Sequence, residues 1–299
     1  MSTRIGIIGG TGIGERIREE FNPDDARTAV VETPFGKPST DIMLATIDTG
    51  HGEFQIAVLP RHGEGHSLPP HQVPYRANVY AMKSLGVTHV LATSACGSLR
   101  EEITPGSLVI PDQVIDRTMH RPRTFFDDLA VHVEFADPFC PLLRQAVLHA
   151  GRRLEGVDVR DHGTMLVMEG PAFSTRAESE MHRSLGADLI AMTAMPEARL
   201  AREAEIAYAL IALPTDYDCW RPRDAAGGDS VLAEIRSNLV RAGDAAFALI
   251  RAVLNDAHTL AEHPSPAHTA LDEAVWTARD MITGDVRSKM GVLLSRVLG

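Results

Sequence analysis

The sequence predicts an α/β fold, a mixed central sheet with helices laid against its faces. Short β-branched runs alternate with amphipathic stretches over the first 254 residues, the pattern of strands followed by covering helices. The runs are almost continuously apolar, as strands buried on both faces must be. Several of them end in glycine, hydroxyl or charged residues, and ligands of α/β sheets bind beyond the carboxyl ends of strands.

By these signals, strands are expected at residues 4–8, 41–47, 55–59, 89–93, 108–115, 164–168, 188–192 and 207–213. A helix over 75–85 stops at Gly86, and one over 141–154 starts with Pro141 in its first turn. Thr175 and Glu178 have capping-box spacing at the start of a third, and Pro196-Glu197 opens a fourth. Over 230–254, Val231, Ile235, Leu239, Ala242, Ala246, Leu249 and Val253 fall on one helical stripe. Residues 255–268, rich in His, Pro and Ser, read as a loop, and 271–298 as a final helical segment. The chain thus divides into a domain over 1–254 and an extension over 255–299, packed on that domain or on a neighbouring subunit.

Composition narrows the class. Hydrophobic residues at 44% and charged residues at 23% suffice for a full-sized core. No apolar run approaches the roughly 18 residues that cross a membrane, and the first residues lack a secretory signal, so a cytoplasmic protein is expected. Cys96, Cys140 and Cys219 show no CxxC spacing and read as free thiols. A net charge of −11 repels polyanions and argues against nucleic acid, while leaving room for a small anion held by local donors.

Chemistry is concentrated where strands end. Gly9-Gly10-Thr11-Gly12-Ile13-Gly14 follows the first strand, where glycines let backbone N–H groups approach an anion and Thr11 adds a hydroxyl. A dinucleotide loop competes for this segment, with Glu32 as its ribose acid, but the G-x-G-x-x-G fingerprint is broken at Glu15. Arg61-His62-Gly63 ends a strand, with His66 just after. The Arg fork suits phosphate oxygens, and His can donate a further bond. No acidic or Cys residue completes a metal set with these histidines, so no metal is expected. Thr93-Ser94-Ala95-Cys96-Gly97-Ser98 offers neutral donors and space; nothing places a base beside Cys96, which reads as a buried structural thiol.

Glu169-Gly170-Pro171-Ala172-Phe173-Ser174 is a loop whose Phe173 could cover a flat base, and Met192-Thr193 ends the next strand with a sulfur beside a hydroxyl. Thr215-Asp216-Tyr217-Asp218 follows the apolar run 207–213. Solvated loop acids are one reading of this pair. The other is an Asp216 raised in pKa by apolar surroundings and able to donate a proton.

Together these segments resemble the methylthioadenosine phosphorylase branch of the trimeric purine nucleoside phosphorylases. The resemblance runs from Ile5 to about Trp220, in order. It is carried most specifically by Thr33-Pro34-Phe35-Gly36-Lys37-Pro38-Ser39, by Ala95-Cys96-Gly97-Ser98-Leu99-Arg100-Glu101-Glu102 and by Thr215-Asp216-Tyr217-Asp218-Cys219-Trp220. It implies a single-domain purine nucleoside phosphorylase-like fold. It also implies phosphate contacts from Thr11, Arg61, His62, Ser94, Ala95 and Thr193, a ribose contact at Met192, and Phe173, Ser174, Asp216, Tyr217 and Asp218 around the base. Asp at position 216 goes in this family with 6-aminopurines, because a carboxyl can accept from the exocyclic amine and, protonated, donate to N7. His132 and Leu293 are implied to reach a neighbour's ribose 5′ group. Ser174 and Gly228 fall at positions bearing on specificity.

The expected activity is phosphorolysis of S-methyl-5′-thioadenosine, with Asp216 as the catalytic acid, inorganic phosphate as co-substrate and no cofactor. A methylthioinosine or general purine nucleoside phosphorylase is the alternative within the class, and an NAD(P)-dependent oxidoreductase outside it. A homotrimer, or a hexamer, is the expected assembly.

Overall fold

A computed structural model describes residues 4–10, 13–20, 26–49, 51–221 and 231–299, so Thr11 and Gly228 lie outside the described residues. The chain opens with β1 (Arg4–Gly9), α1 (Gly14–Glu20), β2 (Arg27–Ala29), β3 (Ile42–Asp48), β4 (Glu53–Pro60), α2 (Tyr75–Ser84) and β5 (His89–Ser98). The middle holds β6 (Leu108–Val109), β7 (Gln113–Arg117), α3 (Pro141–Gly151), β8 (Val159–Arg160), β9 (Thr164–Met168), α4 (Arg176–Ser184), β10 (Leu189–Ala191) and α5 (Ala194–Glu203). β11 (Ala207–Asp216), α6 (Val231–Asn255), α7 (Ala257–Glu262), α8 (Gly284–Met290) and α9 (Ser295–Leu298) complete it.

The strands form one mixed sheet in the order β2-β3-β4-β1-β5-β10-β9-β7, with β11 also on β5 and continuing to β6 and β8. Side chains alternate between its faces, as the strand period of two requires. On β11, Ala209, Ile211 and Leu213 enter one core with α3 and α6, while Tyr208, Leu210 and Ala212 enter another with α2 and α5. Burial on both faces explains why the sequence shows continuous apolar runs rather than alternation.

β5 is the strand that makes a site. Its first half lies between β1 and β11, paired from His89 to Ala92 on one side and from His89 to Cys96 on the other. β1 stops opposite Ala92, and the far end of β5 pairs instead with β10 through Gly97 and Ser98. Between these two partners, among the described residues, Thr93, Ser94 and Ala95 have one edge without a strand, and a cavity opens there. This is the crevice expected where neighbouring strands diverge.

Several expected elements differ. The run 108–115 is two strands, β6 and β7, because Pro111 lies between them and cannot donate to a ladder. The stretch 255–268 carries α7 and a short 3₁₀ turn rather than a loop. The segment 271–298 is broken into short turns and helices; Gly291, at φ +40°, separates α8 from a 3₁₀ turn over 291–293. β2 and β8, three and two residues long, are too short to leave a periodic signal. Leu271, Met290, Leu293 and Leu294 close the same core as α2 and α5. α4 starts as expected, with Thr175 accepting from Glu178 N and Glu178 from Thr175 N.

Candidate active site

The cavity at the β5 edge has a volume of about 300 Å³. Its walls bring together Gly10 after β1, His62 after β4, Ser94 to Gly97 on β5, and Phe173 with Ser174 on the loop after β9. Met192 and Thr193 after β10 and Asp216 with Asp218 at the end of β11 complete them. Segments scattered over more than two hundred residues thus converge because each follows a neighbouring strand. A second cleft of about 500 Å³ by α3 is lined by Arg152, Arg160 and His162 together with Glu102, Asp161 and Asp188, and holds none of the expected site residues that the structure describes.

One end of the cavity is built from neutral donors. Gly10 N donates to Thr93 Oγ1 at 2.9 Å, and the Ser94 and Thr193 hydroxyls meet at 3.1 Å. Behind them lies Arg61, fully buried with Glu197. Its Nε and Nη2 donate to the two oxygens of Glu197, each at 2.7 Å, and Nη1 donates to Thr93 O at 2.8 Å. Tyr208 donates its O–H to Glu197 at 2.8 Å. A guanidinium removed from water needs such a partner. Burial opposes its charge, but the Glu197 carboxylate outweighs that and keeps it protonated. The fork expected to face an anion is therefore closed by Glu197. Nη1 remains nearest the cavity, under Gly10, where an added Cβ would come within 3.0 Å of it and 2.5 Å of Thr93 O. Glycine is required there by this close approach.

His62 stacks on His66 at 4.2 Å, and its Nδ1 lies 2.8 Å from Leu68 O. A carbonyl only accepts, so Nδ1 carries the hydrogen and Nε2 of the neutral ring is an acceptor. Burial first, then the charge of Arg61, pushes its pKa down to about 4. The expected extra donor is thus an acceptor at neutral pH. His89, buried beside His268, is likewise pushed down to about 4. Both rings stay neutral in the fold but protonate near pH 6.5 when unfolded, so stability is fully present above that pH and falls as pH drops toward 4. Each contributes up to about 3 kcal/mol over this window. Urea midpoints at pH 7 and pH 4.5 should therefore separate, and His89→Asn should narrow the gap; an unchanged gap in the variant would remove His89 as a cause.

The other end holds the acids. Asp216 is half-buried; Oδ2 accepts from Thr215 Oγ1 at 2.8 Å and Oδ1 from Asp218 N at 2.8 Å. Asp218, at φ +50°, accepts from Ser179 Oγ at 2.5 Å. Gly97 packs against both acids, its notional Cβ 3.3 Å from Asp218 and 3.5 Å from Asp216 Oδ1. Burial, then the charge of Asp216, pushes the Cys96 thiol well up, so it is no nucleophile. Phe173 is 68% exposed at the cavity mouth.

Not every expected residue faces this space. Tyr217, just beyond β11, points away from the cavity, its O–H donating to Glu101 O at 3.3 Å and its ring edge-on to Trp220. His132 is exposed and packs edge-on against Trp276. Leu293, implied to reach a neighbour, is 1% exposed and packs in its own chain's core. Glu32 lies exposed on the surface, 3.7 Å from Lys37, and does not line the cavity. Sequence reasoning does not find Ile235 and Leu239 of α6, nor Pro70 and His66, as lining residues. By its period the α6 stripe reads whole as core, yet its first turns cover the cavity; Asn238 fixes them by donating to Thr215 O at 2.8 Å.

Comparison with known proteins agrees with this geometry. Residues 4–255 match the model of the phosphorylase superfamily. The S-methyl-5′-thioadenosine phosphorylase of Geobacter sulfurreducens is 44% identical over 297 residues, covering 98% of this chain and 99% of the relative. That of Thermosynechococcus vestitus is 45% identical, with full coverage of both chains. Among solved structures, a methylthioadenosine phosphorylase from an antarctic soil metagenomic library superposes with a TM-score of 0.86 at 41% identity, covering 98% of this chain and 99% of that one. A variant adenosine/methylthioadenosine phosphorylase of Schistosoma mansoni in complex with methylthioadenosine gives 0.72 at 33% identity, covering 98% of each chain. The chain belongs to the phosphorylase superfamily.

Proposed function

We propose that this protein is a pentosyltransferase that cleaves S-methyl-5′-thioadenosine with phosphate, giving adenine and 5-methylthioribose-1-phosphate for purine and methionine salvage. The observation that carries the reading is one cavity with hydroxyl and backbone donors at one end and the Asp216 carboxyl at the other. The identity of the relatives adds to it. Phosphate binds against Ser94, Ala95 and Thr193 with the Arg61 charge behind, and the resemblance adds a contact from Thr11, which lies outside the described residues. His62 Nε2 accepts the O–H of hydrogen phosphate. Met192 lies along the ribose, and Phe173, Ser174 and Asp218 frame the base.

In the reaction the C1′–N9 bond breaks and its electron pair goes to the purine, leaving oxocarbenium character on the ribose. Asp216 donates or shares a proton at N7 as charge develops there, and a phosphate oxygen bonds to C1′. This chemistry calls for neither a metal nor an organic cofactor.

Ile235 and Leu239, with Pro70, give the cavity an apolar wall suited to a thioether. Leu239→Gln should lower the preference for methylthioadenosine over adenosine about tenfold, within the range of a disturbed apolar pocket; an unchanged ratio of kcat/KM would place the 5′ group elsewhere. Phosphorolysis of adenosine, inosine and their 5′-methylthio analogues tests the whole reading. Phosphate-dependent adenine release is expected, and preference for the inosine pair would move the assignment to 6-oxopurines.

The reading also places the protein in the cytoplasm as a homotrimer, with the extension 255–299 belonging to the same folding unit; a hexamer is the other assembly considered. Among the described residues no helix is long and apolar enough to cross a membrane. Exposed His132 beside Trp276, itself 72% exposed, supplies an aromatic surface for a second copy. A monomer in mass photometry would remove the trimer.

A further inference from the structure

A second buried arginine, outside the motifs that mark the site, binds the walls of the cavity to one another. Arg121 lies beyond β7, is 5% exposed, and touches no open part of the cavity. Thr118 N and Oγ1 both donate to Asp116 Oδ1, at 2.9 and 2.7 Å, which turns the chain after β7 toward the site. The Met119 and His120 amides then donate to Glu169 Oε2 at 2.5 and 3.2 Å.

The guanidinium finishes the junction. Nε donates to Glu169 Oε1 at 3.0 Å, and Nη2 to Glu169 O at 2.6 Å. Nη1 donates to Met192 O at 2.6 Å and Met195 O at 2.8 Å, and lies 3.1 Å from Tyr75 Oη. Tyr75 in turn donates to Pro70 O at 2.9 Å. Pro70 and Met192 line the cavity, and Glu169 is the root of the loop that carries Phe173 and Ser174. One planar fork therefore spans three cavity walls. Lysine, with three donors on one nitrogen, cannot meet acceptors spread along both edges of that plane.

We infer that Arg121 is a positioning residue that sets the spacing between the base loop at 169–174 and the ribose wall at Met192, and so governs nucleoside affinity and alignment. The inference rests on the nucleoside phosphorylase reading. β10 is held to β5 and β9 by the sheet, and the Ser94–Thr193 contact is not among the bonds Arg121 makes. Loss of Arg121 frees the base loop, which it holds by both the side chain and the backbone of Glu169, and loosens Met192, while Thr193 keeps its contact with Ser94. A displacement of about 1 Å can cost up to about 10²-fold in rate.

The test compares wild type, Arg121→Lys and Arg121→Met in methylthioadenosine phosphorolysis, varying nucleoside and phosphate separately, and reads adenine affinity by calorimetry. Nucleoside KM and adenine Kd should rise about tenfold or more while phosphate KM stays within about twofold, with Lys no better than a partial rescue. A structural role alone would lower the active fraction and leave every KM and the adenine Kd unmoved, and that outcome overturns the inference. So does a parallel rise of both KM values. If the Arg121 variants do not fold, Glu169→Gln decides, since it weakens the same junction from the loop side: the same split at smaller size sustains the role, and an unchanged adenine Kd overturns it. Failure of the wild type to release adenine would instead sink the functional reading, and adenine Kd would still report on Arg121.

Discussion

Asp216→Asn should lower turnover of methylthioadenosine by about 10²-fold or more, the range typical of a positioned acid, while leaving the protein folded. The two bonds that hold the carboxyl survive the change. Oδ1 of an asparagine still accepts from Asp218 N, and its amide can donate to Thr215 Oγ1, whose own hydrogen can turn to Cys96 O, already 3.2 Å away. The substitution therefore removes an acid and little else. What it changes is the direction of hydrogen bonding toward the base. An amide carries no transferable proton for N7, but it can donate to the oxygen of a 6-oxopurine, so the ratio of inosine-type to adenosine-type kcat/KM should rise. Near-normal kinetics on methylthioadenosine with an unchanged ratio would show that leaving-group activation does not pass through this carboxyl.

Strands that point at the site are legible in the sequence because strands covered on both faces must be apolar throughout, and a polar residue at the end of such a run stands out by contrast. Ser94, Thr193 and Asp216 are readable for that reason, and all three line one cavity. The α6 wall is not. Ile235 and Leu239 share a stripe with Ala242, Ala246 and Leu249, and nothing in a 3.6-residue period says which turn leaves the core and covers a cavity. Buried polar partners are hidden too. Glu197 reads only as the start of a helix and Arg121 carries no signal at all, since a charged residue buried by a distant partner, 136 positions away for Arg61 and Glu197, has no local signature. The fate of Arg61 depends on that unseen partner.

Because of it, breaking the Arg61–Glu197 pair from either side should have the largest effect on stability. Arg61→Met leaves a carboxylate in a site with no exposure, and Glu197→Gln leaves a guanidinium there without its counter-charge; each single change should cost about 3–5 kcal/mol in urea unfolding. Carrying both changes at once removes both charges, and Gln can still accept from the Tyr208 hydroxyl. The double variant should therefore recover most of that loss, a coupling that a double-mutant cycle measures directly. Function should not recover with it. The pair is neutral in sum, yet its positive member lies nearer the cavity, under Gly10 and against Thr93 O, so a phosphate dianion at the hydroxyl end senses the guanidinium more strongly than the carboxylate. Phosphate KM in the stable double variant should remain raised by about 10-fold or more, comparable to losing one charge-assisted interaction, with nucleoside affinity changed far less. If stability and phosphate KM returned together, Arg61 would be a structural ion and the anion would be held by the hydroxyls and backbone amides alone.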